Sequence, residues 1–186
     1  MKKIAVIYHS GYGHTEYFAK HVVDGANTIS GVTVDLMNTE EATKKMESLI
    51  DYDGFIFGSP TYMGNVSGPF KSFIDATGGL WQKQALKNKY ASGFTVSGSP
   101  SGDKQTSLIT MVVFATQHSM LWVGNDTFPE TYTGIKPEEA ANRLGSFLGA
   151  MAQAGQVAPE LAFVPGDLKT AKLFGARMAK VLTGQL

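Results

Sequence analysis

A short turn near the amino terminus combines hydroxyl groups and glycines in a pattern that suits phosphate binding. The apolar segment at residues 4–8 ends there, and a helical pattern follows. Ser10 and Thr15 supply hydroxyl donors, while Gly11 and Gly13 allow tight curvature with accessible N–H groups. The first turn of the following helix would add positive partial charge. We therefore predict an anion site at residues 10–15, which we call loop one.

Loop one differs from the common nucleotide-binding loops. A Walker loop closes with Lys and then Ser or Thr, and the dinucleotide fingerprint has a third glycine where this chain has Glu16. Loop one also contains no Arg or Lys, so a phosphate would be held by neutral donors. This pattern favours the terminal monophosphate of a larger ligand. The alternative is that Ser10 or Thr15 only caps the helix.

Two further loops follow predicted strands and carry small donors with little charge. Loop two is Ser-Pro-Thr-Tyr-Met-Gly-Asn at residues 59–65, and loop three is Ser-Gly-Ser-Pro-Ser-Gly-Asp at residues 97–103. In an open parallel sheet, ligands bind beyond the carboxyl ends of the strands, where these loops would lie. Together they fit a flat, polar-edged ring with a phosphate tail. The alternatives are a proline turn for loop two and a flexible surface turn for loop three.

The remaining pattern predicts the elements that would position these loops. Apolar segments typical of strands occur at residues 4–8, 32–37, 54–58, 91–97 and 120–123. Helical patterns alternate with them, one with Phe18, Ala19, Val22, Val23 and Ala26 on one face, and others at residues 40–50, from Ser67 onward, at 104–117, from Pro137 to Gly155 and at 167–182. The interpretation is an α/β three-layer sandwich with a five-stranded parallel sheet and an extra C-terminal helix. That helix would cover the domain or join a neighbouring subunit.

Composition narrows the class of protein. With 186 residues and 43% hydrophobic content, the chain predicts one domain over residues 1–186, of which about 157–186 form a C-terminal extension. Sixteen basic residues balance sixteen acidic ones and only Arg143 and Arg177 are arginines, which argues against nucleic acid. There is no cysteine, and no apolar segment approaches the ~20 residues of a membrane helix. We expect a cytoplasmic protein without membrane insertion.

The loops carry a family resemblance. The chain resembles flavodoxin-like FMN proteins, and among them the NAD(P)H:quinone oxidoreductases named for the tryptophan-repressor-binding protein. The resemblance depends on loop one and on Gly-Ser-Pro-Thr-Tyr-Met-Gly-Asn-Val-Ser-Gly at residues 58–68, which runs on to Phe-Ile-Asp-Ala-Thr-Gly-Gly-Leu-Trp at 73–81. It covers roughly residues 2–154. Two features depart from the family pattern: Tyr62 stands where the family commonly has Arg, and loop three is shorter and poorer in glycine.

The resemblance implies a cofactor, a reaction and a set of site residues. The cofactor would be FMN, with NADH or NADPH as cosubstrate and a quinone as acceptor. The implied FMN-binding residues are Ser10, Gly11, Tyr12, Gly13, His14, Thr15, Thr61, Tyr62, Met63, Ser97, Gly98, Ser99, Pro100, Ser101, Gly102 and His118. Tyr12 and Trp81 would contact the nicotinamide or quinone. No metal and no acid–base pair is expected, because the flavin carries the chemistry.

Some alternatives stay open at this point. His118 would stabilise reduced flavin by the resemblance, although a histidine at a helix end is also stabilised by the helix dipole alone. The family implies a homodimer or homotetramer, with Trp81 acting across a subunit contact. A flavodoxin-type one-electron carrier, an NAD(P)H-dependent FMN reductase and a non-enzymatic interaction module are the competing functions.

Overall fold

The apolar segments predicted as strands form one sheet. The computed structural model describes all residues, 1–186, with strands β1 (Lys2–Tyr8), β2 (Val32–Asn38), β3 (Gly54–Tyr62), β4 (Asn65–Val66), β5 (Tyr90–Ser97), β6 (Leu121–Trp122) and β7 (Ala150–Gln153). The order is β2-β1-β3-β5-β6, with every neighbouring pair parallel. The short β4 pairs antiparallel with the end of β3. The predicted five-stranded parallel sheet is confirmed.

Two helical layers cover the sheet, because each helix has one apolar face. α1 (His14–Ala26) and α6 (Pro165–Thr183) pack on one side with Phe18, Phe174 and Met178 in the core. α2 (Thr39–Lys44), α3 (Gly68–Ala76), α4 (Gly78–Gln82) and α5 (Lys104–Gln117) cover the other. Short 3₁₀ helices occupy Met46–Asp51, Glu130–Thr133 and Pro159–Leu161. The helix predicted at residues 40–50 is therefore an α-helix followed by a 3₁₀ helix.

The fifth position of the sheet is filled by two separate segments. β6 pairs with the start of β5, at Tyr90 and Ala91, and β7 pairs with its end, from Phe94 to Ser97. Residues 123–149 leave the sheet between these segments, and we call them the excursion. The predicted strand at 120–123 thus supplies only the segment that pairs with the start of β5.

The helix predicted from Pro137 to Gly155 is wrong. Residues 137–149 form turns, and Asn142 and Gly145 have φ of 47° and 67°, which are left-handed values. Asn142 anchors these turns, since its side chain donates to the Thr127 carbonyl and accepts from the Ser146 N–H. The unpaired end of β5 then takes Ala150–Gln153 as a strand. Tertiary hydrogen bonding outweighs the strong local helix-start signal.

The C-terminal helix covers the domain, which is the first of the two predicted alternatives. α6 lies directly against α1, and glycines make the approach possible. A Cβ atom on Gly175 would lie 1.9 Å from the Val22 carbonyl oxygen, and one on Gly25 would lie 1.9 Å from that of Lys172. No helix of the structure is long and apolar enough to cross a membrane.

We predict that Gly175→Ala destabilises the fold by about 3 kcal/mol, because the added methyl group forces α6 away from α1. The midpoint of urea unfolding measures the loss. Gly79→Ala, in α4, is the matched control, since no atom lies within 4 Å of its added Cβ. Equal midpoints for the two variants would contradict the close helix contact.

Candidate active site

Loop one lies at the point where the sheet reverses its winding direction. The chain passes from β1 to β2 on one side and returns to β3 on the other side of β1. The helices that leave neighbouring strands diverge there and open a crevice at the carboxyl edge. Loop one follows β1 and loop two follows β3, so both border this crevice.

Loop one presents a set of unused backbone donors. Gly13 is the N-cap of α1 with φ of 86°, and no side chain caps the helix. No carbonyl accepts from the N–H groups of residues 10–16; the next N–H along, that of Tyr17, bonds to the Gly13 carbonyl. Helix N-termini with free N–H groups bind anions. The helix-cap alternative for Ser10 and Thr15 is therefore not what the structure shows.

The Ser10 hydroxyl is also without a partner. Its oxygen is buried and makes no hydrogen bond within the protein. Buried hydroxyl groups are almost always paired, because an unpaired one costs free energy. A ligand phosphate among the free N–H groups would satisfy it. The residues present thus fit a phosphate group.

A cavity of about 650 Å³ extends from loop one along the ends of β3, β5 and β7. Its size is that of sites for small molecules. No Asp, Glu, Lys or Arg lines it. The lining residues are Ser10, Gly11, Tyr12, His14, Thr15, Pro60, Tyr62, Val96, Ser97, Gly98, Ala154, Gly155, Gln156, Val157, Ala158 and Pro159.

Loop two contributes one aromatic side chain to the cavity. The Tyr62 ring bends over loop one, so that a Cβ on Gly11 would lie 2.7 Å from its hydroxyl oxygen. Burial raises the pKa of Tyr62, with a smaller contribution from Tyr12. Met63, with φ of 46°, is fully exposed at the tip of the β3–β4 hairpin. The Tyr62 phenol stays neutral at ordinary pH.

The Thr61 side chain points into the protein instead of the cavity. Its hydroxyl lies 2.7 Å from the Thr95 hydroxyl and 2.8 Å from that of Ser107. This buried hydroxyl network joins β3, β5 and α5. The Thr61 side chain therefore supports loop two from inside the protein and does not line the cavity.

Loop three reaches the cavity through its first two residues, Ser97 and Gly98. The other predicted residues, Ser99, Pro100, Ser101 and Gly102, lie outside the lining. Beneath the loop, the Lys104 ammonium donates to the Ser97 hydroxyl at 2.9 Å and to the Ser99 carbonyl. Burial lowers the pKa of Lys104 to about 8. Sequence reasoning missed this lysine because it resembles an ordinary first-turn helix residue.

The segment after β7 forms another part of the cavity wall. His14 Nε2 lies 2.8 Å from the Val157 carbonyl oxygen, and Pro159 packs beside Gly13. Sequence reasoning missed this segment because the strand before it was interpreted as the end of a helix. Burial alternates along Ala150–Gln153 in the structure, but the sequence there, three apolar residues followed by Gln153, carries no alternating signal of a strand.

His118 and Trp81 lie together in a second cavity. This space of about 330 Å³ lies between α3, α4 and α5 and shares no residue with the first cavity. The imidazole is 2% exposed, and its Nε2 lies 2.9 Å from the Thr77 hydroxyl. Its Nδ1 is buried without a partner. Burial lowers the pKa of His118, so the ring is neutral at pH 7.

A sequence profile of the family described as NADPH-dependent FMN reductase matches residues 3–132. The chain belongs to this family. Membership confirms the predicted resemblance and the predicted cofactors, FMN with a nicotinamide cosubstrate. The chain is thus an oxidoreductase-like flavoprotein of the flavodoxin-like class.

Similar proteins support this assignment. The chain is 40% identical over 182 residues to flavodoxin FldP of Pseudomonas aeruginosa (strain UCBPP-PA14), covering 97% of each chain. It is 34% identical over 173 residues to quinone-oxidoreductase QR2 of Triphysaria versicolor, covering 80% of this chain and 82% of the relative. The crystal structure of a WrbA-like flavodoxin from Agrobacterium tumefaciens superposes with a TM-score of 0.77 at 33% identity over all of both chains.

We predict that Ser10→Ala weakens FMN binding about tenfold, because one donor to the phosphate is lost, at a cost of about 1.5 kcal/mol. The variant apoprotein should be at least as stable as the wild type, since the hydroxyl has no partner to lose. Fluorescence titration measures FMN affinity. Riboflavin, which lacks the phosphate, is the matched ligand and should bind both proteins equally. An equal loss for riboflavin would contradict the assignment.

Proposed function

We propose that the protein transfers two electrons from NADH or NADPH to a quinone or similar small acceptor, by a ping-pong reaction on bound FMN. The observation that supports this most is the cavity at the switch point. It combines the free donors of loop one with the exposed aromatic rings of Tyr12 and Tyr62, and no Asp, Glu, Lys or Arg lines it. When bound, FMN supplies the chemistry, as it accepts a hydride and passes two electrons on.

The residues of the cavity have separate tasks in this proposal. Residues 10–15 bind the phosphate through N–H groups and the Ser10 and Thr15 hydroxyls. Tyr62, Ser97 and Gly98 border the ring, and the segment at 155–159 covers the site on the other side. The nicotinamide and the acceptor use the same open face in turn, next to Tyr12, which is 78% exposed.

A one-electron carrier is the second candidate, since the 40%-identical relative is described as a flavodoxin. Such carriers commonly meet their partners through acidic surface. No Asp, Glu, Lys or Arg lines the cavity here, which favours a small neutral acceptor over a charged protein partner. Direct reduction of free flavin, as the family description suggests, is a third use of the same site.

The visible spectrum of the purified protein, followed by anaerobic addition of NADH or NADPH, tests the proposal. Fast bleaching of the flavin and reoxidation by benzoquinone, with parallel double-reciprocal plots, is the expected result. A one-electron-reduced form that persists without NAD(P)H oxidation would identify a carrier instead. A colourless protein that takes up no added FMN would refute both.

The exposed Tyr12 side chain at the cavity gives a further prediction. Tyr12→Ala should raise the KM for NAD(P)H roughly fivefold, because stacking on a Tyr ring contributes about 1 kcal/mol. The flavin spectrum and FMN affinity should change little. Tyr132→Ala is the matched control, as Tyr132 is 80% exposed and lies away from the cavity. An unchanged KM in Tyr12→Ala would exclude Tyr12 from substrate binding.

Trp81 and His118 give a separate test of quaternary structure. We propose that the protein is a homodimer or homotetramer and that the cavity shared by these side chains lies at a subunit contact. Trp81 is 47% exposed in the single chain. Sedimentation of the wild type beside Trp81→Ala would show a loss of assembly if Trp81 packs at the contact. A wild-type monomer would rule the contact out.

A further inference from the structure

Lys104 stands in an environment that disfavours a cation in three ways. Its side chain is completely buried. It is the first residue of α5, where the helix dipole is positive. Its hydrogen-bond partners, the Ser97 hydroxyl and the Ser99 carbonyl, are both neutral. Buried charges are normally paired with an opposite charge, so a nearby anion would stabilise this ammonium.

The carboxylate of Asp167 acts on this ammonium but is already paired with another cation. Asp167, in the first turn of α6, is 1% exposed and forms a two-pronged ion pair with Arg143 of the excursion, at 2.8 and 2.9 Å. It also accepts from the Gln153 N–H. Asp167 raises the pKa of Lys104 and Arg143 lowers it, but burial outweighs both and leaves it at about 8. The two neighbouring charges therefore act on the Lys104 pKa in opposite directions.

The Lys104 ammonium lies directly behind the cavity wall. The Lys104 ammonium donates to the Ser97 hydroxyl at 2.9 Å, and Ser97 itself lines the cavity, so the ammonium is in direct contact with a residue of the cavity wall. Gly98, the next lining residue, is held by Gln153, whose amide donates to its carbonyl at 3.1 Å. Loop three is therefore a fixed wall with positive charge on its inner side.

We propose that Lys104 is a positioning residue of this site, which holds loop three in place and supplies the positive charge that stabilises an anionic ring edge against Ser97 and Gly98. The inference rests on the proposed function, in which FMN occupies the cavity. Hydride transfer from NAD(P)H adds two electrons and one proton to a neutral ring, which then carries one negative charge, and releases NAD(P)⁺. The lysine favours the ring in that charged form.

Two variants separate the charge from the hydrogen bond. Lys104→Met removes both, while Lys104→Gln keeps a donor for the Ser99 carbonyl. Lys87→Met, at an exposed position, removes the same net charge and is the control. The flavin midpoint potential measures the preference for reduced over oxidised FMN. We expect both Lys104 variants to lower that preference about tenfold relative to Lys87→Met, which corresponds to about 30 mV for a two-electron couple.

The pH dependence of the wild-type protein gives a second measurement that needs no variant to fold. An anionic ring raises the pKa of Lys104 above about 8, so reduction draws in part of a proton there. Between pH 7 and 9 the wild-type potential should fall more steeply with pH than that of Lys104→Met. Equal slopes and equal potentials would overturn the proposal.

The apoprotein tests the lysine independently of FMN. Its pKa is about 8 in the folded chain and 10.5 as the ordinary value, so the unfolded chain binds more protons between these pH values and stability rises with pH. From pH 8 to 10, the folding equilibrium constant of the wild type should rise about 40-fold relative to that of Lys104→Met. A constant difference would show that the ammonium is not destabilised.

The outcomes separate this inference from the proposed function. If the wild type takes up no FMN, both fail, whatever the variants do. If FMN binds and the potential is the same in Lys104→Met and Lys87→Met, only the role of Lys104 fails. A lower potential in Lys104→Met with a wild-type potential in Lys104→Gln would show that Lys104 acts only by positioning loop three. That result would overturn the proposed role of its charge.

Discussion

The buried carboxylate of Asp167 is the constraint on which the carboxyl edge of the sheet depends. It binds Arg143 of the excursion and the N–H of Gln153 in β7, while it sits in the first turn of α6. Gln153 in turn holds the carbonyl of Gly98 in loop three. Because a buried carboxylate with a missing partner costs several kcal/mol, these segments are fixed together. The positions of the cavity wall and of loop three therefore depend on the ion pair between Asp167 and Arg143.

The two cavities divide the residues that the family resemblance placed in one site. Loop one, Tyr62 and the start of loop three meet at the switch point, whereas Trp81 and His118 share the space between α3, α4 and α5. In a single chain, the predicted FMN-binding residue His118 and the predicted substrate residue Trp81 are thus separate from the first cavity.

The fold and loop one were predictable from sequence because their signals are local. The apolar strands, the hydroxyl and glycine pattern at residues 10–15 and the start of α5 at Lys104 depend on nearest neighbours along the chain. The excursion was not predictable, since Asn142 takes a left-handed conformation to satisfy partners at Thr127 and Ser146. The role of Lys104 was not predictable either, because its burial results from the tertiary packing of α5 and leaves no local signal in the sequence. The inward rotation of Thr61 likewise depends on Thr95 and Ser107, which are distant in sequence.

The division of the fifth strand into β6 and β7 has a consequence for solubility. An edge strand presents a row of unpaired N–H and C=O groups, onto which a strand of another molecule can add. Here that edge consists of a two-residue and a four-residue segment, with the excursion leaving the sheet between them. The Trp122 indole donates to the Leu148 carbonyl at 2.8 Å and so binds the two ends of the excursion together. At the edge formed by β6 and β7, a strand of another molecule therefore meets no continuous row of unpaired backbone groups with which it could pair.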